Sequence, residues 1–295
     1  MKSKSMLWTS KFSHGSCPCR SGEPAYSCCY KGNGHWERAP VGTIEPAKTD
    51  FKNDRCYLSP TGNCGVKITR EHFISRQILE QITTSTLKFE GTSPIFGGKQ
   101  SVEIGINSFS AKVLCDRHNS ALSPLDDAAG LAFSAIEALS LDLKRIAETQ
   151  ETLKSLYVAS GIDIERWMVK VYCGLVAAGQ IRGASGSIVH LGTLQPSLLN
   201  SLMGTSPLET PLGLYMHSFA GQTRTAGGFT FATIQLTNGS GEVGGLILAL
   251  GLMNLVLVTS PTYGQTFTDP NWYRHPSLLF DVRQSGSRVA YLFTY

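Results

Sequence analysis

The chain has no apolar run long enough to cross a bilayer as a helix. Its longest run, 243–258, has sixteen mostly apolar residues, and it contains three glycines and Asn254. A spanning helix needs roughly twenty apolar residues. Two buried strands joined near Gly251 are therefore predicted here. Residues 1–12 are polar and lack the apolar core of a secretory signal. These absences predict a cytoplasmic protein that has no membrane partner.

Two common enzyme signatures are also missing from the sequence. No segment has the glycine pattern of a Walker loop or of a dinucleotide-binding loop, and the glycines at 241, 244 and 245 are predicted to lie in a hairpin. The stretch 185–187 lacks the Gly-x-Ser-x-Gly pattern of a nucleophile elbow. The sequence therefore gives no support for nucleotide-dependent chemistry or for an α/β-hydrolase.

Charge is scarce and unevenly distributed. Charged residues make up 16% of the chain, and the net charge is +4. Residues 1–120 hold sixteen Lys or Arg and ten Asp or Glu, whereas residues 121–295 hold ten and twelve. The basic excess therefore lies in the first segment, which also holds seven of the eight cysteines. This distribution predicts a polyanionic partner such as nucleic acid.

Four cysteines lie close together in the stretch CPCRSGEPAYSCCY. Cys17 and Cys19 are separated by one residue, and the adjacent pair Cys28 and Cys29 follows after eight residues. Four thiolates satisfy a tetrahedral zinc ion, and a segment this rich in polar residues has no apolar core of its own. Metal binding would then supply its folding energy. Two disulfides are the alternative, which a reducing compartment disfavours.

A second candidate site combines three cysteines and a histidine that are distant in the sequence: Cys56, Cys64, Cys115 and His118. Two turns would then be held together by one zinc ion whose four positions are all filled by protein. A ligand set in which His72 replaces one of these residues is an alternative. The remaining cysteine, Cys173, lies in an apolar helical pattern and is predicted to be a core residue.

The hydrophobic pattern is helical before residue 185 and strand-like after it. Helical spacing predicts helices over 74–82, from Ser123 and Pro124 to about Glu148, and from Asp163 to about Gly179. Strands are predicted at 66–69, 102–106, 111–114, 212–219, 229–236, 246–250, 252–259, 278–282 and 289–294. The expected fold class is α+β, with a C-terminal antiparallel sheet packed on two helices. We expect three units, 1–35, 54–150 and 151–295.

Two segments resemble known families. The first cysteine group, in unit 1–35, is similar to the SEC-C zinc motif, although Arg20 stands where that motif usually has glycine. This resemblance implies an accessory module for binding a protein or a nucleic acid. Residues 54–130 resemble zinc-bearing HNH endonucleases through the stretches ITREHFIS and VLCDRHNSALSPLD. That resemblance implies a treble-clef fold around the second zinc and a metal-dependent endonuclease, with DNA a more probable substrate than RNA.

The HNH resemblance also implies roles for three residues. His72 would be the general base that takes a proton from the attacking water, because its pKa lies near neutrality. Asn119 would orient the site, and Glu71 would help to hold a divalent cation such as Mg²⁺ on the phosphate. The family's third residue, a His after Asn119, has no counterpart; only Asp126 and Asp127 occupy that region. The alternative function is a non-catalytic zinc-stabilised module that binds nucleic acid or protein.

Overall fold

The computed structural model describes residues 15–45, 48–83, 86–90, 101–149, 152–183, 187–189, 194–216, 229–235, 243–250, 253–264, 280–284 and 286–295. The helices are α1 (Arg76–Ile82), α2 (Asp116–Thr149), α3 (Gly161–Ala177), α4 (Pro196–Met203) and α5 (Pro261–Gly264). The first seven strands are β1 (Tyr30–Gly32), β2 (His35–Trp36), β3 (Ile68–His72), β4 (Thr86–Glu90), β5 (Ser101–Gly105), β6 (Ser110–Cys115) and β7 (Lys154–Ser160). The others are β8 (Gly213–Met216), β9 (Phe229–Gln235), β10 (Val243–Leu250), β11 (Met253–Val258), β12 (Phe280–Gln284) and β13 (Ser287–Thr294).

The protein mixes helices with several sheets. A four-stranded antiparallel sheet has the order β8-β11-β10-β9, a three-stranded sheet has the order β12-β13-β7, and the pairs β1-β2, β3-β6 and β4-β5 stand separately. The prediction of an α+β class is therefore confirmed at the level of mixed helix and sheet. Among the described residues, no helix is both long enough and apolar enough to span a bilayer.

The apolar run 243–258 forms two strands, as its glycines predict. β10 and β11 pair antiparallel from Gly245 opposite Val258 to Leu250 opposite Met253. The join near Gly251 lies outside the described residues. The structure therefore confirms the strand interpretation of this run within the described part.

The predicted start of α2 at Ser123 is wrong, because the helix begins at Asp116 and contains Pro124 in its interior. Proline has no N–H to donate to the carbonyl of Ser120, four residues earlier. The Ser123 hydroxyl instead donates to that carbonyl at 2.9 Å. The Ser-Pro pair therefore replaces one missing hydrogen bond inside a helix and does not start one.

The prediction of one C-terminal antiparallel sheet is also wrong in part. β13 pairs in parallel with β7, from Arg288 opposite Lys154 to Thr294 opposite Ser160. Neither β7 nor α4 is predicted from the sequence. The partner strands β7 and β13 are separated by about 130 residues, and a pairing over that distance leaves no local pattern.

Helix α3 lies at the centre of the fold, between α2 and the antiparallel sheet. The rings of Phe133 on α2 and Trp167 on α3 meet edge-on with centroids 5.5 Å apart. One apolar cluster includes side chains from both 54–150 and 151–295. The three-unit division of the chain stays a prediction.

Candidate metal centres

The first cysteine group forms a compact cluster. The Sγ atoms of Cys17, Cys19, Cys28 and Cys29 all lie within 4.8 Å of one another. Cys28 Sγ is 3.5 Å from Cys19 Sγ and 3.7 Å from Cys29 Sγ, and all four are free thiols. A disulfide needs sulfurs about 2.05 Å apart, so the disulfide alternative is not what the structure contains.

The second group is also brought together, and all four of its residues are buried. His118 Nδ1 lies 3.4 Å from Cys56 Sγ, 3.7 Å from Cys64 Sγ and 3.2 Å from Cys115 Sγ. Around a tetrahedral zinc, neighbouring sulfur and nitrogen ligands lie about 3.5 Å apart and two sulfur ligands lie about 3.8 Å apart. Both clusters therefore have the dimensions and the donor atoms of a structural zinc site.

The hydrogen bonds of His118 show which ring nitrogen faces the thiols as a ligand. Its Nε2 lies 3.1 Å from Thr61 Oγ1, and that hydroxyl donates its only proton to the carbonyl of Leu58 at 2.8 Å. Thr61 Oγ1 must therefore accept a hydrogen bond from Nε2–H, which leaves the lone pair on Nδ1 among the three sulfurs. Burial, and then the charge of Arg117, lowers the pKa of His118 to about 4. The imidazole is thus neutral at pH 7.

Two thiols of the second cluster, those of Cys56 and Cys64, need a cation in order to ionise at neutral pH. Burial raises the pKa of Cys56 and of Cys64. A thiolate is the form that binds zinc, so metal binding at this site must release protons. A structural cation is therefore the group that these buried thiols fit.

The elements that carry the second cluster are tightly connected. Cys56 and Cys64 flank a short 3₁₀ turn, Ser59–Thr61. Cys115 ends β6, and His118 lies in the first turn of α2. A Cβ added to Gly65 would lie 1.9 Å from Asp116 Oδ1, so a larger residue here would displace the carboxylate that accepts from the N–H of Arg117.

The first cluster packs against the parallel strand pair. Cys17, Cys19 and Cys29 share an apolar group with Leu156 and Val158 of β7. The N–H of Val158 also lies 3.4 Å from the carbonyl of Pro18. The cysteine loop therefore uses one face of β7 as its support.

Arg38 links the first cluster to the end of β13. Its Nη1 lies 2.9 Å from Cys28 Sγ and 3.5 Å from Cys19 Sγ. Its backbone N–H donates to Thr294 Oγ1 at 3.1 Å. Four thiolates around Zn²⁺ leave a net charge of −2, so one guanidinium beside two sulfurs offsets half of it.

We expect Arg38→Met to weaken zinc binding at the first cluster about 10- to 100-fold, which is the usual effect of removing an outer partner of a metal ligand. Competition with a zinc chelator, with the loss of zinc followed separately for each of the two sites, measures this change. The second cluster provides the internal control, because Arg38 does not contact it. Equal weakening of both sites would contradict this role.

The structure places Asn119 against β3. Its Nδ2 donates to Thr69 Oγ1 and to the carbonyl of Arg70, both at 3.1 Å. The register of β3 with β6 shifts between Thr69 and Glu71, so these bonds support the strand at its irregular position. Asn119 therefore holds the strand that carries Glu71 and His72.

Glu71 lies in a buried ion network. Lys170 of α3 forms ion pairs with Glu71 and with Asp126, the latter at 2.7 Å. Ser75 Oγ donates to Asp126, and Trp167 Nε1 donates to Ser75 at 2.8 Å. Asp126 therefore joins α2 to α3.

The pKa values of this network reflect burial opposed by charge. Burial raises the pKa of Glu71 to about 7 and Asp126 adds to the rise, while Lys170 acts to lower it. Burial also lowers the pKa of Lys170, but the two carboxylates outweigh this effect and the pKa is raised. Lys170 therefore stays charged, and the Glu71 carboxylate already has a cationic partner.

His72 follows Glu71 as the last residue of β3. Its ring is half-buried, and its Nε2 has no hydrogen-bond partner among the described residues. Burial, and then the charges of Arg76 and Lys170, lowers its pKa. His72 is therefore neutral at pH 7, and its Nε2 is buried without a partner among the described residues.

No family model, curated protein or solved structure matches this chain. Spacing in the sequence predicts both groups of residues, and the structure brings each group together. Arg38, Thr61 and Lys170 were not found. Lys170 gives a weak signal as a lysine within the apolar pattern of a buried helix, whereas Arg38 and Thr61 give none.

Proposed function

We propose that this chain is a nucleic-acid-binding protein stabilised by two structural zinc ions. The observation that carries the proposal is the second cluster, in which four buried side chains from two distant segments converge. With every position filled by protein, the ion would stabilise the fold and would not activate water. The exposed surface of the same segments is basic, which supports a polyanionic partner.

The arrangement around this cluster supports the treble-clef interpretation. A loop with two cysteines precedes the antiparallel pair β3-β6, and a helix with the fourth ligand in its first turn follows. Asn119 comes directly after that ligand and bonds to β3. These contacts support the resemblance to HNH segments, whose framework would here serve binding.

Metal-dependent cleavage of nucleic acid is the second candidate function, and His72 favours it. A neutral imidazole can accept a proton from a water molecule, and the Nε2 of His72 has no partner among the described residues, although it is buried. A divalent cation such as Mg²⁺ would neutralise charge on the phosphate when bound. Glu71 is not free for such a cation, since Lys170 holds it. Binding is for that reason the first candidate.

One experiment separates the two candidates. We expect the wild type and His72→Ala to bind DNA with the same affinity. We expect neither protein to cleave DNA in the presence of Mg²⁺ or Mn²⁺. Plasmid nicking and a fluorescence binding assay measure these outcomes. His35→Ala is the matched control, because His35 is exposed on β2.

Two results would change the conclusion. Nicking by the wild type that falls about 10²- to 10⁴-fold in His72→Ala, but not in His35→Ala, would establish the second candidate, since this is the usual effect of removing a general base. Failure of the wild type to bind either double- or single-stranded nucleic acid would refute the proposed function.

A further inference from the structure

A basic surface surrounds the second metal cluster. Five exposed cations lie on the loops and strand that flank its cysteines: Lys48, Lys52, Arg55, Lys67 and Arg70. Only two carboxylates, Asp50 and Asp54, lie in the same stretch from 48 to 70. This is a concentrated part of the basic excess of the first 120 residues.

Hydrogen bonds tie these loops to one another. Asn53 Nδ2 donates to the carbonyls of Gly65 and Val66 at 3.3 and 3.0 Å. The N–H of Cys64 donates to the carbonyl of Phe51 at 2.9 Å. The segments around 52–55 and 64–67 are therefore held together as neighbours, which places their exposed cations near one another. Ordering such side chains on a partner costs less than ordering a mobile loop.

The five cations form no ion pair with any other described residue. Within the described part of the chain, no carboxylate lies at ion-pair distance from any of them. Two cations elsewhere are engaged: Arg76 pairs with Glu80 at 2.7 Å, and Lys170 pairs with two buried acids. The charge of this surface is therefore available to an external anion.

Two apolar side chains lie among the cations. Phe51 is 42% exposed and Val66 is 82% exposed. The backbone carbonyl of each accepts one of the hydrogen bonds that join the two loops. An exposed aromatic ring beside cations fits contact with a base or a sugar as well as with phosphate. This combination favours nucleic acid over a partner that presents negative charge alone.

We propose that this surface, defined by Lys48, Lys52, Phe51, Arg55, Val66, Lys67 and Arg70, binds the sugar-phosphate backbone of nucleic acid. The proposal rests on the proposed function and names where that binding takes place. Contacts of this kind position the partner without reading its sequence. The second zinc would then act by holding the two loops in a binding arrangement.

The salt dependence of DNA binding tests the surface. In Lys52→Ala/Lys67→Ala, we expect weaker binding and a plot of log K against log salt whose slope falls in magnitude by about 2, because each lost phosphate contact on B-DNA removes about 0.9. The control is Lys144→Ala/Lys154→Ala, which removes the same charge from α2 and β7 and should leave the slope unchanged. Zinc content and thermal melting confirm that each variant is folded.

The outcomes separate this surface from the function itself. If the wild type binds DNA but both double variants lower the slope equally, or neither does, the surface is wrong and the proposed function stands. If the wild type binds no nucleic acid and binds only vesicles of anionic lipid, both proposals fail. A selective loss in Lys52→Ala/Lys67→Ala supports both.

Discussion

Replacement of Cys115 by Ser is expected to remove one of two bound zinc ions and to unfold the region around β3, β6 and the start of α2. Cys115 is fully buried at the end of β6, and a serine there cannot supply the thiolate that zinc requires. Apparent binding energies of structural zinc are about 10–16 kcal/mol, whereas whole domains are stable by about 5–15 kcal/mol. The loss is therefore large enough to abolish folding of this region.

The measurement is zinc per chain by elemental analysis, together with thermal melting with and without a chelator. Cys173→Ala is the matched control, because Cys173 is buried in α3 outside both clusters. Burial raises the pKa of that thiol to about 12, so it stays protonated. The control should keep two zinc ions. A Cys115→Ser protein that still binds two zinc ions would refute the second site.

Replacement of Lys170 by Met is expected to destabilise the protein by about 3–5 kcal/mol, the usual cost of removing one partner from a buried ion pair. Lys170 is the only described cation that contacts both Glu71 and Asp126. Without it, Glu71 is a buried carboxylate with no opposite charge beside it. The side chain of methionine keeps the packing volume, so the loss reports the charge.

The pH dependence gives this prediction a sign. Burial raises the pKa of Glu71 to about 7, above its ordinary value of 4.5. The folded state therefore binds more protons than the unfolded state between these values, and stability falls as pH rises through this window. Removing Lys170 raises that pKa further, so the variant continues to lose stability above pH 7. The gap between variant and wild type must then be larger at alkaline pH.

Urea unfolding at about pH 5.5 and about pH 8.5 measures this gap, since linkage makes the difference between the two a direct readout of Glu71. Lys144→Met is the control, because Lys144 is exposed and pairs with Glu148 on the surface of α2. That variant should change stability little at either pH. A loss in Lys170→Met that is the same at both pH values would contradict the role of the charge.

Some features could be predicted because local chemistry determines them. Cysteine and histidine spacing identified both ligand sets, since few other reasons bring four such residues together. The glycines of 243–258 identified two strands, and the structure has β10 and β11 there. Both signals are contained in short segments of sequence.

Other features could not be predicted because a distant residue decides them. Ser123 and Pro124 have the pattern of a helix start, yet the first turn of α2 is placed by Cys115 and His118, which come eight and five residues before Ser123. The parallel pairing of β7 with β13 depends on a strand at the far end of the chain. Local preference is overridden wherever packing across the fold is stronger.

The amino-acid sequence by itself determined which side chains can bind metal and which segments alternate as strands, because both are properties of short stretches. Only the tertiary structure decided that Glu71 is held by Lys170 and that the Nε2 of His72 is buried without a partner among the described residues. It also decided that Arg38 meets two thiols and that Asn119 bonds to β3. Ion pairs and hydrogen bonds form between groups a few ångströms apart in space. Glu71 and Lys170, which form such a pair, are about a hundred positions apart in the sequence.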